Sequence, residues 1–181
     1  AAESCGFKAN EPDYVALNYM PSGGHFEFEQ SIDEGKWRET FRALALELAA
    51  RTRCVMVCHN DRESREARKL MPEIEQFYST NFRDTLAFYS KARFGIMNRV
   101  HGAFAIANYG RPSIVVGSDS RARMAEMIGL NSYFVGAVTL ETLKDAVAEM
   151  EANTALYKKK FTILKEEARQ RYNQLLTDSL E

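Results

Sequence analysis

Arg99 and His101 are the residues of this sequence whose types and spacing best suit chemistry on a charged small molecule. Arginine carries a permanent positive charge on a planar fork of donors that matches a carboxylate or a phosphate. Histidine exchanges protons near neutral pH and can act as a general acid or base. The pair, with Val100 between them and Gly102 after them, therefore predicts an anion site with a proton donor beside it.

The run FGIMNRVHGA, residues 94–103, indicates how this pair would be positioned. It predicts a short buried strand that leads directly into a helix, with Arg99 and His101 at the junction. In an open α/β sheet, ligands bind at the carboxyl ends of the strands, and a helix that starts there directs its unpaired N–H groups to the same point. The alternative is a structural role, in which the arginine pairs with a carboxylate and the histidine is satisfied in the core. The position at a strand-to-helix turn favours the functional interpretation.

Four further residues are candidates for contact with the same ligand. Asp119, Arg121 and Arg123 follow the next predicted strand, in a neighbouring loop at the same edge, and either arginine could reach the same anion. A solvated helix start is an equally good interpretation of either arginine alone. Asn18 ends the first predicted strand and would face Arg99 across the sheet if strands 1 and 4 are neighbours.

Two other polar segments are weaker candidates. The loop PSGGH, residues 21–25, resembles a phosphate cradle only loosely, because it lacks both a P-loop and a dinucleotide glycine pattern. A flexible loop with His25 at the surface is the better interpretation. After the second strand, Asn60 or Asp61 is most simply a helix N-cap, and a contact with a substrate hydroxyl is the lesser alternative.

Strands alternate with helices along the chain, which is typical of βαβ units and a parallel sheet. We expect an α/β fold: a doubly wound, mostly parallel, Rossmann-like sheet of about six strands with helices on both faces. Right-handed crossovers favour the strand order 3-2-1-4-5-6, in which strands 1 and 4 are neighbours. The predicted strands are 13–19, 54–58, 77–80, 94–98, 113–117 and 133–135.

Apolar residues recur at helical spacing between these strands. We expect a linker or fragment start over residues 1–12, the Rossmann-like domain over 13–150, and a C-terminal amphipathic helix over 151–181 that packs on the domain or on a missing one. The predicted inward-facing residues are Trp37, Phe41, Leu44 and Leu48 in a helix over about 35–51; Ala67, Leu70 and Ile74 in the next helix, with a break or kink at Pro72; Met124, Met127 and Ile128 in a short helix; and Tyr157, Phe161, Leu164, Ala168, Tyr172 and Leu175 in the last helix.

The composition excludes several classes of function. The chain has 181 residues, of which 45% are hydrophobic and 27% charged, with a net charge of −1, so a general affinity for nucleic acid is not expected. No apolar run reaches the roughly 18 residues that a membrane span needs. The chain has three cysteines, Cys5, Cys54 and Cys58. The spacing of Cys54 and Cys58, on a predicted buried strand, fits neither a zinc motif nor a redox pair, and they predict reduced core thiols of a cytoplasmic protein. We expect no metal and no cofactor.

The segment from about Thr85 to Leu130 resembles the C-terminal half of the polysaccharide pyruvyl transferase family. That family is marked by a strand ending in Arg-Leu-His-Gly or a close variant, a helix of small residues, Gly-x-Pro, another strand, a loop with an aspartate and a basic residue, and a Gly-Leu helix end. This chain has the corresponding runs NRVHG at 98–102, GRP at 110–112, IVVG at 114–117, DSR at 119–121 and IGL at 128–130, in that order.

The resemblance implies a two-domain fold similar to the GT-B glycosyltransferases, with this chain as the C-terminal half and the N-terminal domain missing. It implies transfer of pyruvyl from phosphoenolpyruvate to a sugar diol, giving a ketal, in the synthesis of an exopolysaccharide or cell-wall polysaccharide. Arg99 would hold the donor and His101 would protonate its methylene carbon. Two alternatives stay open: a GT-B glycosyltransferase domain that binds a nucleotide sugar, and a non-catalytic relative. The last is favoured by Asn18-Tyr19, where family members tend to have an arginine.

Overall fold

Strands and helices alternate along the part of the chain that the computed structural model describes, residues 10–23, 32–118 and 120–178. The strands are β1 (Tyr14–Asn18), β2 (Cys54–Cys58), β3 (Glu75–Tyr78), β4 (Ala92–Met97), β5 (Ser113–Gly117) and β6 (Asn131–Phe134). The helices are α1 (Glu34–Ala49), α2 (Asp61–Leu70), α3 (Phe82–Tyr89), α4 (Val100–Asn108), α5 (Ser120–Met127), α6 (Leu140–Ala152) and α7 (Thr154–Asp178).

The six strands form one sheet in the order β3-β2-β1-β4-β5-β6, and all five pairings are parallel. The predicted Rossmann-like fold and strand order are therefore confirmed. In register, Leu17 lies between Met56 on β2 and Ile96 on β4, and Asn18 pairs with Met97. The carboxyl ends of β1 and β4 consequently meet at one edge of the sheet.

The central strands are apolar because helices cover the sheet. Every residue of β1, β2 and β5 is buried, as expected for a parallel sheet whose strands do not alternate in polarity. The edge strands β3 and β6 are only partly covered. Helix α1 packs through Trp37, Phe41, Leu44 and Leu48, as predicted. The rings of Trp37 and Phe41 contact that of Tyr19, just beyond β1.

Local signals set most helix ends. The side chains of Asp33, Asn60, Asn81 and Thr139 accept hydrogen bonds from backbone N–H groups in the first turns of α1, α2, α3 and α6, which is the common N-cap arrangement. Helix α2 ends at Leu70, before Pro72, and α4 ends before Gly110, whose φ of 78° suits glycine. The cap at Asn60 and the break at Pro72 agree with the prediction, whereas Ile74, predicted on the same helix, lies beyond its end.

Helix α5 faces the sheet differently from the prediction. Met124 and Met127 are 50% and 82% exposed, whereas Ala122 and Ala125 are buried, so the prediction that the two methionines face inward was wrong. Helix α5 sits too close to β5 for large side chains, since a Cβ atom on Gly117 would lie 2.6 Å from the Cβ of Ala122. Three strands also start two residues earlier than predicted: β3, β4 and β6.

Helix α7 is buried only near its start. Tyr157 and Phe161 are buried against the domain, and Leu164 is half-buried, while Ala168, Tyr172 and Leu175 are exposed. The predicted apolar stripe thus packs on the domain over its first half only. Among the described residues, no helix is both long and apolar enough to span a bilayer.

Two of the three cysteines lie at the ends of β2. Cys54 and Cys58 are buried and carry no disulfide, and burial raises their pKa values to about 11 and about 12. Both thiols therefore stay protonated near neutral pH, as the sequence predicted for core thiols. Cys5 lies outside the described residues.

Candidate functional site

The carboxyl ends of β1 and β4 bring three of the predicted site residues to one edge of the sheet. The backbone N–H of Asn98 donates to the carbonyl of Asn18 at 3.2 Å, which extends the pairing beyond the strands. Arg99 follows as the N-cap of α4, and His101 lies exposed in the first turn of that helix. Asn18, Arg99 and His101 therefore occupy the same edge, as the strand order required.

The guanidinium of Arg99 is bound to a buried carboxylate that the sequence analysis did not identify. Its Nε lies 2.8 Å and its Nη2 lies 2.5 Å from Oε1 of Glu63, in α2. The Arg99 side chain is 17% exposed and that of Glu63 is 5% exposed. The structural interpretation of Arg99, in which it pairs with a carboxylate, is therefore correct for part of the contacts that this side chain makes.

The Glu63 carboxylate accepts hydrogen bonds from groups at the ends of three strands. Its Oε2 accepts from Nδ2 of Asn18 and from the backbone N–H of His59, both at 3.0 Å. Its Oε1 accepts from Nδ2 of Asn60 at 3.0 Å as well as from Arg99. Asn60 in turn accepts from the backbone N–H of Glu63 at 2.9 Å. One carboxylate thus joins the ends of β1 and β2 to the start of α4.

Asn18 is enclosed rather than open to solvent. It is 1% exposed, and its Nδ2 donates to the Val57 carbonyl at 2.9 Å and to Glu63 at 3.0 Å. Its Oδ1 accepts from the backbone N–H of Arg99 at 2.9 Å. The amide therefore fixes the backbone at the start of α4, while its predicted contact with substrate stays a prediction.

A second asparagine makes equivalent links one strand further along the sheet. Oδ1 of Asn98 accepts from the backbone N–H of Met20 at 2.7 Å, and its Nδ2 donates to the Val116 carbonyl at 2.6 Å. These bonds join the loop after β1 to the end of β5. The two buried asparagines hold four neighbouring strand ends in fixed relation, because each satisfies backbone groups that the sheet leaves unpaired.

His59 and Tyr89 lie beside this network. Nε2 of His59 is 2.6 Å from the Tyr89 hydroxyl. Burial lowers the pKa of His59, and nearby Arg99 and His101 lower it further, against the opposing effect of Glu63. Burial also raises the pKa of Tyr89. The imidazole is therefore held neutral, and the protonated hydroxyl is a suitable donor to Nε2.

The remaining predicted site residues are placed as follows. Gly102 is buried, and a Cβ atom there would lie 2.6 Å from the Tyr89 hydroxyl oxygen. Gly102 therefore lies where α4 packs closely against Tyr89. Val100 is half-buried at the helix start. Arg121 and Arg123 are exposed near the start of α5, whose helix follows the neighbouring strand β5. Asp119 and His25 lie outside the described residues.

One sequence signal could have revealed Glu63. Asn60 and Glu63 have the spacing of a capping box, in which the N-cap side chain and the residue three positions later bond each other's backbone N–H groups. The structure contains the bond from the Glu63 N–H to Asn60, while the Glu63 carboxylate accepts from the side-chain amide of Asn60. No comparable local pattern marks His59, which directly follows β2, or Tyr89, at the end of α3.

The arrangement suits the binding of an anion. The side chain of Arg99 makes no capping bond to the first-turn N–H groups of α4, unlike the N-cap side chains of α1, α2, α3 and α6. Such N–H groups and the positive end of the helix dipole attract phosphate or carboxylate. Across the residues described, no cluster of three or more histidine, cysteine or acidic side chains could hold a metal ion.

No protein-family model and no curated protein matches this chain. Its structure is similar to that of UDP-GlcNAc 2-epimerase from Neisseria meningitidis bound to UDP-GlcNAc, at 11% identity and a TM-score of 0.55, covering 88% of this chain and 41% of that one. It is also similar to the glycotransferase of kitacinnamycin, at 20% identity and a TM-score of 0.59, covering 92% and 43%. A third neighbour is the E. coli heptosyltransferase WaaC with ADP, at 15% identity and a TM-score of 0.51, covering 81% and 46%.

The chain thus spans less than half the length of each of these three proteins. At such low identities the likeness concerns the fold, and it agrees with the strand order and with the all-parallel sheet. The resemblance to the pyruvyl transferases rests on sequence motifs alone. The structure is that of an α/β, Rossmann-like domain of the kind found in GT-B proteins.

Proposed function

We propose that this chain is a donor-binding domain of GT-B type, which holds the phosphate groups of a nucleotide sugar at the carboxyl edge of β1, β4 and β5. The observation that carries the proposal is the start of α4. There Arg99 lies at the N-cap and His101 stands exposed in the first turn, beside N–H groups that the N-cap side chain does not bond. Among the structural neighbours, one is bound to UDP-GlcNAc and another is solved with ADP.

The charges at this edge suit a diphosphate. The N-terminus of α4 supplies N–H donors and a positive dipole end. Arg121 and Arg123 lie exposed near the start of α5, which follows the strand next to β4. We assign the first phosphate to the start of α4 and the second to the start of α5. The saccharide acceptor would be bound by a second, N-terminal domain.

Pyruvyl transfer is the second candidate, and the exposed His101 two residues after Arg99 favours it. Phosphoenolpyruvate carries a carboxylate and a phosphate that the same basic groups could hold. His101 would give a proton to its methylene carbon, a sugar hydroxyl would attack the resulting cationic carbon, and phosphate would leave. The second hydroxyl of the acceptor would then attack the cationic carbon that loss of phosphate leaves and close the ketal. Phosphate is thus the only leaving group, and the two hydroxyl protons go to phosphate and back to His101.

Calorimetric titration of the chain with UDP, ADP and phosphoenolpyruvate distinguishes the two candidates. We expect UDP or ADP to bind more tightly than phosphoenolpyruvate. Tighter binding of phosphoenolpyruvate would favour pyruvyl transfer instead. Arg99→Gln should weaken binding of the preferred ligand by about 1.5–3 kcal/mol, the usual loss for a hydrogen bond to a charged group. Arg169→Gln, on the exposed part of α7, is the matched control and should change nothing.

A proton count then tests the role of His101. Titrating phosphoenolpyruvate in two buffers of different ionisation enthalpy measures proton uptake on binding. Uptake that disappears in His101→Gln would support the histidine as the acid. If none of the three ligands binds, the proposed donor site is refuted.

A further inference from the structure

We propose that Glu63 is a positioning residue, which holds the Arg99 guanidinium in place for the bound anion and does not itself touch the ligand. The inference rests on the proposed donor site and adds to it a residue on another element. Glu63 belongs to α2, its side chain is 5% exposed, and it bonds two of the predicted site residues, Arg99 and Asn18.

The chemistry of the Glu63 contacts is specific to a carboxylate. Its described side-chain partners are all donors: the amide groups of Asn18 and Asn60, the backbone N–H of His59, and two guanidinium nitrogens of Arg99. A glutamine at this position would keep the shape but turn an NH₂ group toward one set of these donors. It could therefore satisfy only one side of the network.

The same network fixes both parts of Arg99. Glu63 binds the guanidinium, and Asn18, which also donates to Glu63, accepts from the Arg99 backbone N–H at 2.9 Å. A long arginine side chain loses much conformational entropy when a ligand immobilises it. Because Glu63 has already immobilised it, the ligand avoids that loss. The effect of Glu63 on affinity should therefore depend on Arg99.

The first test needs no ligand. In the ¹⁵N NMR spectrum of the full chain, the Arg99 Nε–H should give a slowly exchanging signal, assigned by its absence in Arg99→Lys. Glu63→Gln should accelerate its exchange, whereas Glu66→Gln, which removes a carboxylate of the same helix that pairs with Lys69, should leave it unchanged. A signal that exchanges equally slowly in Glu63→Gln overturns the proposal.

The second test is a double-mutant cycle on UDP affinity. Glu63→Gln should weaken UDP binding about tenfold, equivalent to ~1.4 kcal/mol and within the range of coupling inside one hydrogen-bond network. In an Arg99→Gln background the same change should have no further effect. An equal loss in both backgrounds would show that Glu63 acts independently of Arg99, and would overturn the proposal.

The role of Glu63 can still be tested if Glu63→Gln does not fold, or if the chain does not bind a nucleotide. If Glu63→Gln does not fold, Glu63→Asp keeps the charge but shortens the reach, and it should accelerate Nε–H exchange and weaken UDP binding in the Arg99 background alone. If wild-type chain binds neither UDP nor ADP, the proposed function fails. The NMR exchange measurement then decides by itself whether Glu63 holds Arg99.

Discussion

At the scale of single residues, the imidazole of His59 makes the stability of the protein depend on pH. Burial is the main cause of its lowered pKa, and Arg99 and His101 add to the effect. Its Nε2 also lies 2.6 Å from the Tyr89 hydroxyl, which suits a neutral ring that accepts a hydrogen bond. His59 therefore binds a proton more weakly in the folded protein than in the unfolded chain.

We expect this group to reduce stability in mild acid. As pH falls below about 6.5, the ordinary histidine value, the unfolded state binds a proton that the folded state does not, so the free energy of unfolding falls. The slope from this one group is at most about 1.4 kcal/mol per pH unit, and the loss ends once pH passes below the lowered pKa of the folded state. Urea unfolding of wild type and His59→Gln across this range measures the difference.

His101→Gln is a second variant for that measurement, because His101 is exposed and helps to lower the pKa of His59. Its unfolding free energy should fall less than that of wild type in mild acid, but more than that of His59→Gln. Identical profiles for wild type and His59→Gln would contradict the prediction.

At the scale of secondary-structure elements, Gly102 sets how closely α4 can approach its neighbours. A Cβ atom at this position would lie 2.6 Å from the Tyr89 hydroxyl oxygen, at the end of α3, and would also collide with Met97 on β4. Both neighbours are buried. Any larger residue must therefore move either the helix or the tyrosine that bonds His59.

We expect Gly102→Ala to destabilise the protein, because overpacking a core usually costs about 1–3 kcal/mol. This loss should exceed the gain of about 1 kcal/mol that alanine normally gives over glycine in a helix. Gly35→Ala in the first turn of α1, where the new Cβ would lie 3.2 Å from Oδ1 of Asp33, should change stability by less than about 1 kcal/mol. Urea unfolding compares the two, and equal effects would refute the packing argument.

Most of the elements could be predicted because their signals are local. The caps Asn60, Asn81 and Thr139 lie beside the helices they start, and the alternation of strands with helices leads to the observed strand order. Met124 and Met127 were misplaced because an eight-residue helix carries little periodicity. The close contact between α5 and β5, which selects alanine, comes from tertiary packing.

Only the part of the candidate site at the carboxyl edge of the sheet could be predicted from the sequence. Arg99 and His101 could be placed there because the strand-to-helix turn is visible in the sequence. Glu63 lies in the charged run DRESRE, residues 61–66, which is typical of a solvated helix face. Its partner Arg99 is 36 positions away. Burial of one charge in such a run depends on a contact between distant segments, and the capping spacing from Asn60 was its only local sign.

At the scale of the whole molecule, α7 differs along its length in how much it contributes to stability. Phe161 is 4% exposed and lies in the core, whereas Tyr172 and Leu175 are 62% and 67% exposed. Helix residues that bury little apolar surface add little stability. The second half of α7, residues 166–178, should therefore be dispensable for folding of this domain.

We expect a chain ending at Lys165 to unfold with a free energy within about 1 kcal/mol of the intact chain, because the removed residues are exposed. Phe161→Ala should instead lose about 3–5 kcal/mol, through the cavity that it leaves in the core. Urea unfolding of the two variants checks this. A large loss on truncation would mean that the exposed half of α7 stabilises the domain.

The central position of β1 has a consequence for biosynthesis. Its two neighbours are β2, which follows soon after it in the chain, and β4, whose adjoining Arg99 is 81 positions from Asn18. Closing so long a loop is slow, and during translation β1 can pair on one edge only until β4 has emerged from the ribosome. The other edge is an apolar strand with unpaired backbone groups, which is prone to aggregate. The bonds that join Arg99 to Asn18 and Glu63 can therefore form only late, when the nascent chain closes its sheet.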